Sequence, residues 1–198
     1  MNDSPAENRK KNLAFKSSNY LDKETWGPGE WQTEPDLATW IDPGTGYRAI
    51  VQRHEVFGTL NGYVGVDQNH PWYQVMFDSP LRSGGRIDTL IAVYGDLTFS
   101  GYRSCDLLEA SPEELWYFGF DTAHCFDLCP SPLLSPNVSV STEVNNYIVE
   151  MDPRRDSDPY PRTYKNFKFL SEQLASLARQ LKAVEDVPNA FALSNLNN

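Results

Sequence analysis

The run Asp121-Thr122-Ala123-His124-Cys125-Phe126-Asp127-Leu128-Cys129 is the densest stretch of residues in this chain able to do chemistry. Imidazole titrates near neutral pH and a carboxylate beside it fixes its tautomer. His124 with Asp121 and Asp127 is therefore a candidate general base with its orienting acid, or a candidate divalent-metal site. The spacing Asp-x-x-His-x-x-Asp gathers the three side chains on one side only in a helical turn; in a loop their geometry is open. A second group, Asp67-Gln68-Asn69-His70-Pro71-Trp72-Tyr73, adds another imidazole among aromatic residues, and Tyr94-Gly95-Asp96-Leu97-Thr98 offers Asp96 and Thr98. If the strands that lead into His70 and His124 run the same way, both histidines sit at one sheet edge. Two imidazoles with two or three carboxylates then suit a metal or an acid/base pair. In that arrangement His124 is base or ligand, Asp121 orients it, His70 and Tyr73 line the mouth, and Trp72 or Trp116 forms an apolar wall. The alternative is a buried hydrogen-bond network that fixes loops, with His124 satisfied by Asp121 and His70 turned outward.

Other chemistry has weaker anchors. Zinc on His124, Cys125 and Cys129 lacks a fourth ligand nearby, and adjacent His and Cys rarely aim at one another as a nucleophile pair. His54 reads as a strand residue. Ser83-Gly84-Gly85-Arg86 reads as a solvated turn whose one cation is able to grip an anion. The chain has no phosphate-cradling Gly-x-x-x-x-Gly-Lys loop, no dinucleotide fingerprint and no Gly-x-Ser-x-Gly elbow.

The elements that must hold these residues follow from periodicity. Residues 47–56 alternate as a strand and 59–66 as another, joined by a tight turn near Phe57-Gly58. Gly62 and Gly65 inside the second strand predict a close approach by other groups. Strand signals return at 87–93, at 97–102 and at 115–120, the last preceded by Ser111-Pro112-Glu113-Glu114, which resembles a capped helical turn. The prolines between 130 and 161 predict a wrapping segment, with room for an edge strand or short helix at 138–149. From 164 to 184, Phe167, Leu170, Leu174, Leu177 and Leu181 recur at steps of three and four, one face of a helix with Thr163 as its N-cap. The expectation is an α+β fold: a mainly antiparallel sheet of about five strands packed by a long C-terminal amphipathic helix. It forms one domain over residues 24–186, with a flexible tail at 1–23, an irregular Trp-rich strap at 26–40, and a second tail at 187–198.

Charge narrows the partners. Asp and Glu outnumber Lys and Arg 27 to 17, a net charge of −10, which disfavours extensive nucleic-acid binding. No apolar run spans a membrane or forms a signal peptide, and the odd cysteine count fits reduced thiols, so a cytoplasmic setting is expected and the sequon Asn137-Val138-Ser139 is idle.

Several motifs in order, Gly62-Tyr63-Val64-Gly65-Val66 with His70-Pro71-Trp72-Tyr73, Leu97-Thr98-Phe99-Ser100-Gly101, and Trp116-Tyr117-Phe118-Gly119-Phe120-Asp121 with Ala123-His124 and Asp127, then a terminal helix, resemble an uncharacterised family of proteins encoded by bacteriophages and prophages. The likeness covers roughly residues 47–181. Members tend to carry His-Gly-Gly where this chain has Tyr94-Gly95-Asp96. The resemblance implies a bacterial cytoplasm and brings no established activity; His70, Asp121, His124 and Asp127 are the positions that carry over. The favoured expectation is a phage-type accessory protein that binds a small polar ligand or divalent metal at the His/Asp cluster, with hydrolysis as the candidate reaction. Alternatives are a non-catalytic counter-defence protein that sequesters a nucleotide-like signal or blocks a host defence protein, and an interaction module, oligomeric or not, that docks through the terminal helix or the Trp-rich strap.

Overall fold

The computed structural model describes residues 15–103, 114–131 and 162–186. Six strands form one antiparallel sheet: β1 Lys16–Ser18, β2 Leu37–Ile41, β3 Arg48–Arg53, β4 Leu60–Val66, β5 Phe99–Tyr102 and β6 Trp116–Phe120. Their spatial order is β1-β2-β3-β4-β6-β5, so β6 inserts beside β4 and pushes the earlier β5 to the edge. The helix α1 is one turn, Ile87–Leu90, and α2 spans Phe167–Asp186. The expected α+β architecture holds, with one more strand than the sequence suggested.

Alternation along the strands makes two apolar faces. On one, Val51, Leu60, Val64, Phe118 and Phe120 pack against α2, whose Leu170, Leu174, Leu177, Ala178, Leu181 and Val184 are all buried. Each buried leucine contributes roughly 1.5–3 kcal/mol, and Phe167 at the head of the stripe is partly buried against the same core. Gly62 lets the helix approach: a Cβ there would meet Leu174 Cδ2 and the Phe120 ring at 3.0 Å. On the other face a smaller cluster of Leu37, Ile50, Tyr63 and Tyr117 carries Phe99 and Leu115 at its margin.

Four expectations are corrected. The N-terminal tail does not run free to residue 23, because Lys16–Ser18 pairs with Leu37–Thr39 and the Asp36 carboxylate takes the amides of Tyr20 and Leu21 at 3.0 and 2.9 Å. The Trp-rich strap contains a regular strand at its end, β2. Residues 87–93 form the α1 turn and a loop in place of a strand. Side chains of α2 supply the loop's backbone partners: Gln180 bonds both N–H and C=O of Ala92, at 2.8 and 2.9 Å, and Gln173 accepts from Tyr94 N–H at 3.0 Å. Thr163 bridges to Asp127, and Asn166 caps α2, its Oδ1 accepting from Phe169 N–H at 2.9 Å. The hairpin turn after β3 falls where expected, with Gly58 at φ 73°. The Ser111-Pro112 turn, the 138–149 element, the sequon, Cys105 and the 187–198 tail lie outside the described residues.

Beneath the sheet's rim, Arg53 is buried with all five N–H donors used. It reaches Asp36 (2.9 Å), Gly58 O and Tyr164 Oη (both 2.8 Å), and Glu34 and Pro35 O (both 3.3 Å). Lys23 adds a second cation 2.6 Å from Asp36. Burial pushes the Asp36 carboxyl up, but the Lys23 ammonium and the Leu21 and Tyr20 amides outweigh it and hold its pKa below the ordinary value. Removing one member of a buried ion pair strands the other. Arg53→Met is expected to lower unfolding free energy by about 3–5 kcal/mol, read from the midpoint and slope of urea unfolding; a loss under about 1 kcal/mol would show that the cluster is dispensable.

Candidate functional site

Beyond the end of β6 the chain makes a turn over residues 124–127 that is latched to the segment entering α2. Leu128 N–H donates to Thr163 O at 3.1 Å and Thr163 N–H to Phe126 O at 3.2 Å. Within this turn Asp127 is 1% exposed and acts as its organiser. Oδ2 accepts from the His124 amide at 3.0 Å and lies 3.1 Å from His124 Nδ1. Oδ1 accepts from Tyr94 Oη at 2.6 Å and sits 3.6 Å from Lys165 Nζ. Burial, and then this bond to Asp127, hold the Tyr94 phenol above its ordinary pKa, so it stays a donor. Since a carboxylate only accepts, Nδ1 of His124 is the donor of this pair, the tautomer that in a neutral ring leaves the lone pair on Nε2. The ring is edge-on to Tyr94 at 5.3 Å and presses against Gly95, where a Cβ would fall 2.2 Å from Nε2.

Asp121 stands on the other side of the imidazole, Oδ1 4.0 Å from Nε2. Thr98 Oγ1 donates to its Oδ2 and Ala123 N–H to its Oδ1, both at 3.0 Å. The orienting acid for His124 is therefore Asp127, where the sequence had suggested Asp121. The two carboxylates face opposite nitrogens of one ring, Asp127 Oδ2 at Nδ1 and Asp121 Oδ1 at Nε2. Among the described residues no group of three or more His, Cys, Asp or Glu is placed to hold a metal ion. Cys125 is exposed and Cys129 partly buried, its thiol pushed up to about 11 by burial and by Asp127.

The second histidine group is elsewhere. β4 and β6 are antiparallel, with Gly62 opposite Phe120 and Val66 opposite Trp116, so the segment after Val66 leaves the opposite end of the sheet from the segment after Phe120. His70 is buried, accepts the Trp72 amide on Nδ1 at 3.0 Å, and meets Leu181 O through Nε2 at 3.0 Å. It neither lines a mouth nor turns outward; it ties the loop to α2. Trp72 is fully buried in the core, Trp116 donates Nε1–H to Val75 O at 2.9 Å, and Tyr73 Oη donates to Glu114 O at 3.1 Å. All four belong to that far end. Asp96 sits exposed in the turn before Leu97 at φ 64°, a left-handed conformation Asp tolerates.

What sequence reading missed is a groove of about 310 Å³ on the sheet face away from α2, reaching from Thr98 and Asp121 to Asn61, His54 and the rings of Phe57 and Phe99. Gln52 pairs with Asn61, and Asp121 follows directly on Phe120, the partner of Gly62, so the three polar side chains follow one another across the outer face of the sheet. Asn61 Oδ1 is shielded from solvent and, among the described residues, has no hydrogen-bond partner, a state that costs about 1–3 kcal/mol. His54 Nδ1 accepts the amides of Val56 and Phe57 at 3.2 and 3.3 Å, which puts the neutral ring's proton on Nε2 as a donor. The signal in the sequence was a polar Asn between Leu60 and Gly62 in an otherwise apolar strand.

Fold and site together define an α+β protein whose single sheet is covered by a helix on one face and opens into a polar-floored groove on the other. No family model, curated protein or solved structure matches the chain. Among the described residues no helix is long and apolar enough to cross a membrane.

Two outcomes are expected. Burial lowers the His70 pKa below its ordinary value, so the unfolded chain binds the extra proton first. This contribution to stability is intact above about pH 6.5 and declines as pH falls through that value toward the folded pKa. The thermal midpoint should therefore drop on acidification, and drop less in His70→Asn, whose Oδ1 can still accept the Trp72 amide; equal slopes would refute the assignment. Gly95→Ala should displace the His124 ring and change its imidazole NMR resonances, while leaving those of His70 in place.

Proposed function

We propose that this protein binds a small polar ligand at the β6 end of the sheet, with Asp121 and Thr98 contacting it and His124, oriented by Asp127, as a proton acceptor beside it. The observation that carries this reading is the position of Asp121. Its carboxylate closes the groove on one side and lies 4.0 Å from the lone-pair nitrogen of His124 on the other. Asp127 takes three hydrogen bonds and faces the Lys165 ammonium at 3.6 Å, and it serves to hold the ring; an imidazole fixed by a buried carboxylate is the ordinary arrangement of a general base. The resemblance to phage-encoded proteins supports a setting in a bacterial cytoplasm, where the ligand is either transformed or sequestered. Burial of Leu170, Leu174, Leu177 and Leu181 against the sheet speaks against a docking role for that part of the helix.

The test is native mass spectrometry of protein isolated from a bacterial cytosol without chelator, repeated after denaturation. A small molecule of defined mass is expected on the wild type, absent from Asp121→Asn and reduced on His124→Ala. Its recovery unchanged after incubation would identify a binding protein, and its conversion by wild type but not by His124→Ala an enzyme. Stoichiometric metal, or a ligand retained in full by Asp121→Asn, would overturn the proposal.

A further inference from the structure

We infer that the groove selects a planar ligand head bearing N–H donors, of the amidine or guanidine class, which bonds Asn61 and Asp121 while its apolar body rests on Phe57 and Phe99. This deepens the function proposed above and rests on it for the position of the site. Three observations lead here. Asp121 and Asn61 are two acceptors on the groove floor with capacity left, one of them an anion, while the His54 Nε2–H donor stands at the groove's other end: Asp121 receives a single hydroxyl and a single amide, and Asn61 Oδ1 receives nothing among the described residues. They are the next residues beyond the Gly62–Phe120 pair on neighbouring strands and line the same groove, at a separation of about 5 Å between Cβ atoms if the cross-strand spacing is kept. A flat N–C–N head with donors on both sides spans that separation, whereas one ammonium nitrogen centres on one acceptor. The chain's net charge of −10 favours a cation.

The third observation is an internal precedent. Arg103 lays its guanidinium over the Tyr63 ring, 3.7 Å from the centroid, and bonds the Gln52 side-chain oxygen, the neighbour of Asn61 in the same cross-strand row. One planar cation thus already occupies the adjacent position on this face by stacking on an aromatic ring and donating to an amide oxygen. The groove continues the pattern one strand further on, with Asn61 for Gln52 and, as the aromatic wall, Phe99, which lines the groove beside Tyr63 and whose centroid the Arg103 guanidinium also approaches to 5.4 Å, so that the ligand head takes the side of this ring nearer Asn61. Thr98 holds Asp121 in place from the side.

Benzamidine is the probe, and benzoate, of the same shape and opposite charge, is its control. Titration of the full chain, followed by calorimetry and by backbone amide shifts, should show saturable binding of benzamidine with shifts at Asn61, Thr98 and Asp121, and none with benzoate. Asn61→Leu and Asp121→Asn should each weaken benzamidine by about tenfold or more, the loss of one charge-assisted or buried bond. Asn61→Asp, which keeps an acceptor and adds charge, should bind at least as tightly and carries the test if the leucine variant fails to fold. Equal binding of benzoate, or undiminished binding by Asn61→Leu, overturns the inference. If a cellular ligand is lost from Asp121→Asn while benzamidine does not bind, the proposed function stands and this inference falls. If benzamidine binds in a manner that depends on Asn61 and no cellular ligand is recovered, the selectivity of the groove stands and the proposed function falls.

Discussion

The buried guanidinium of Arg53 is the interaction on which the remaining geometry depends. It gathers the strap through Asp36, Glu34 and Pro35, the β3–β4 turn through Gly58, and the approach to α2 through Tyr164. Lysine has three rotatable donors and no planar fork, so it would leave part of this set unsatisfied. Glu34 extends the junction, accepting the Tyr164 hydroxyl at 2.5 Å and the Phe167 amide at 2.7 Å, which places a carboxylate at the positive end of α2. The two residues on either side of Tyr164 belong to the site: Thr163 latches the 124–127 turn and Lys165 stands beside Asp127. The charge cluster that closes the fold is thus two contacts away from the carboxylate that orients His124.

The sheet divides labour between its faces. The helix side is dry and filled by leucine, valine and phenylalanine, and its glycine serves packing. The outer side is thinner, with aromatic rings interrupted by Gln52, Asn61 and Asp121. Gly119 belongs to this second arrangement, since a Cβ there would strike the Tyr63 ring at 2.3 Å and lift it off the strand. A sheet built this way carries its core on one surface and keeps the other free to vary in polarity without loss of the principal packing.

The sequence made legible the elements whose signal is local. Strands β3, β4 and β6, their turn at Gly58 and the α2 stripe follow from alternation, a left-handed glycine and a three-four period, and all are where those patterns put them. β1 lies in a polar stretch that reads as a tail, and β2 was hidden by neighbouring Pro, Gly and Trp, which read as irregular chain although Leu37–Ile41 is largely apolar. Ile87–Leu90 shows the opposite failure: an apolar run with strand composition became a turn because glutamine side chains of a distant helix satisfied the next backbone groups. For the site, Asp121, His124, Asp127 and Thr98 converge, since they follow or flank one strand end. The separation of His70 from His124 depends on strand direction, a property of topology that residue spacing does not carry.

The order β4-β6-β5, with the covering helix after all six strands, has a consequence for synthesis. A ribosome releases β2, β3 and β4 first, and these can pair through short connections, but the strip that receives β6 stays open until residue 120 has emerged. The apolar rows Leu60, Val64, Phe118 and Phe120 then remain wet until α2 is made, and Arg53 waits with Asp36 for its phenolic partner. This topology makes the covering of the sheet wait for the element that follows all its strands, so the nascent chain passes through an interval as an incomplete sheet with one uncovered face.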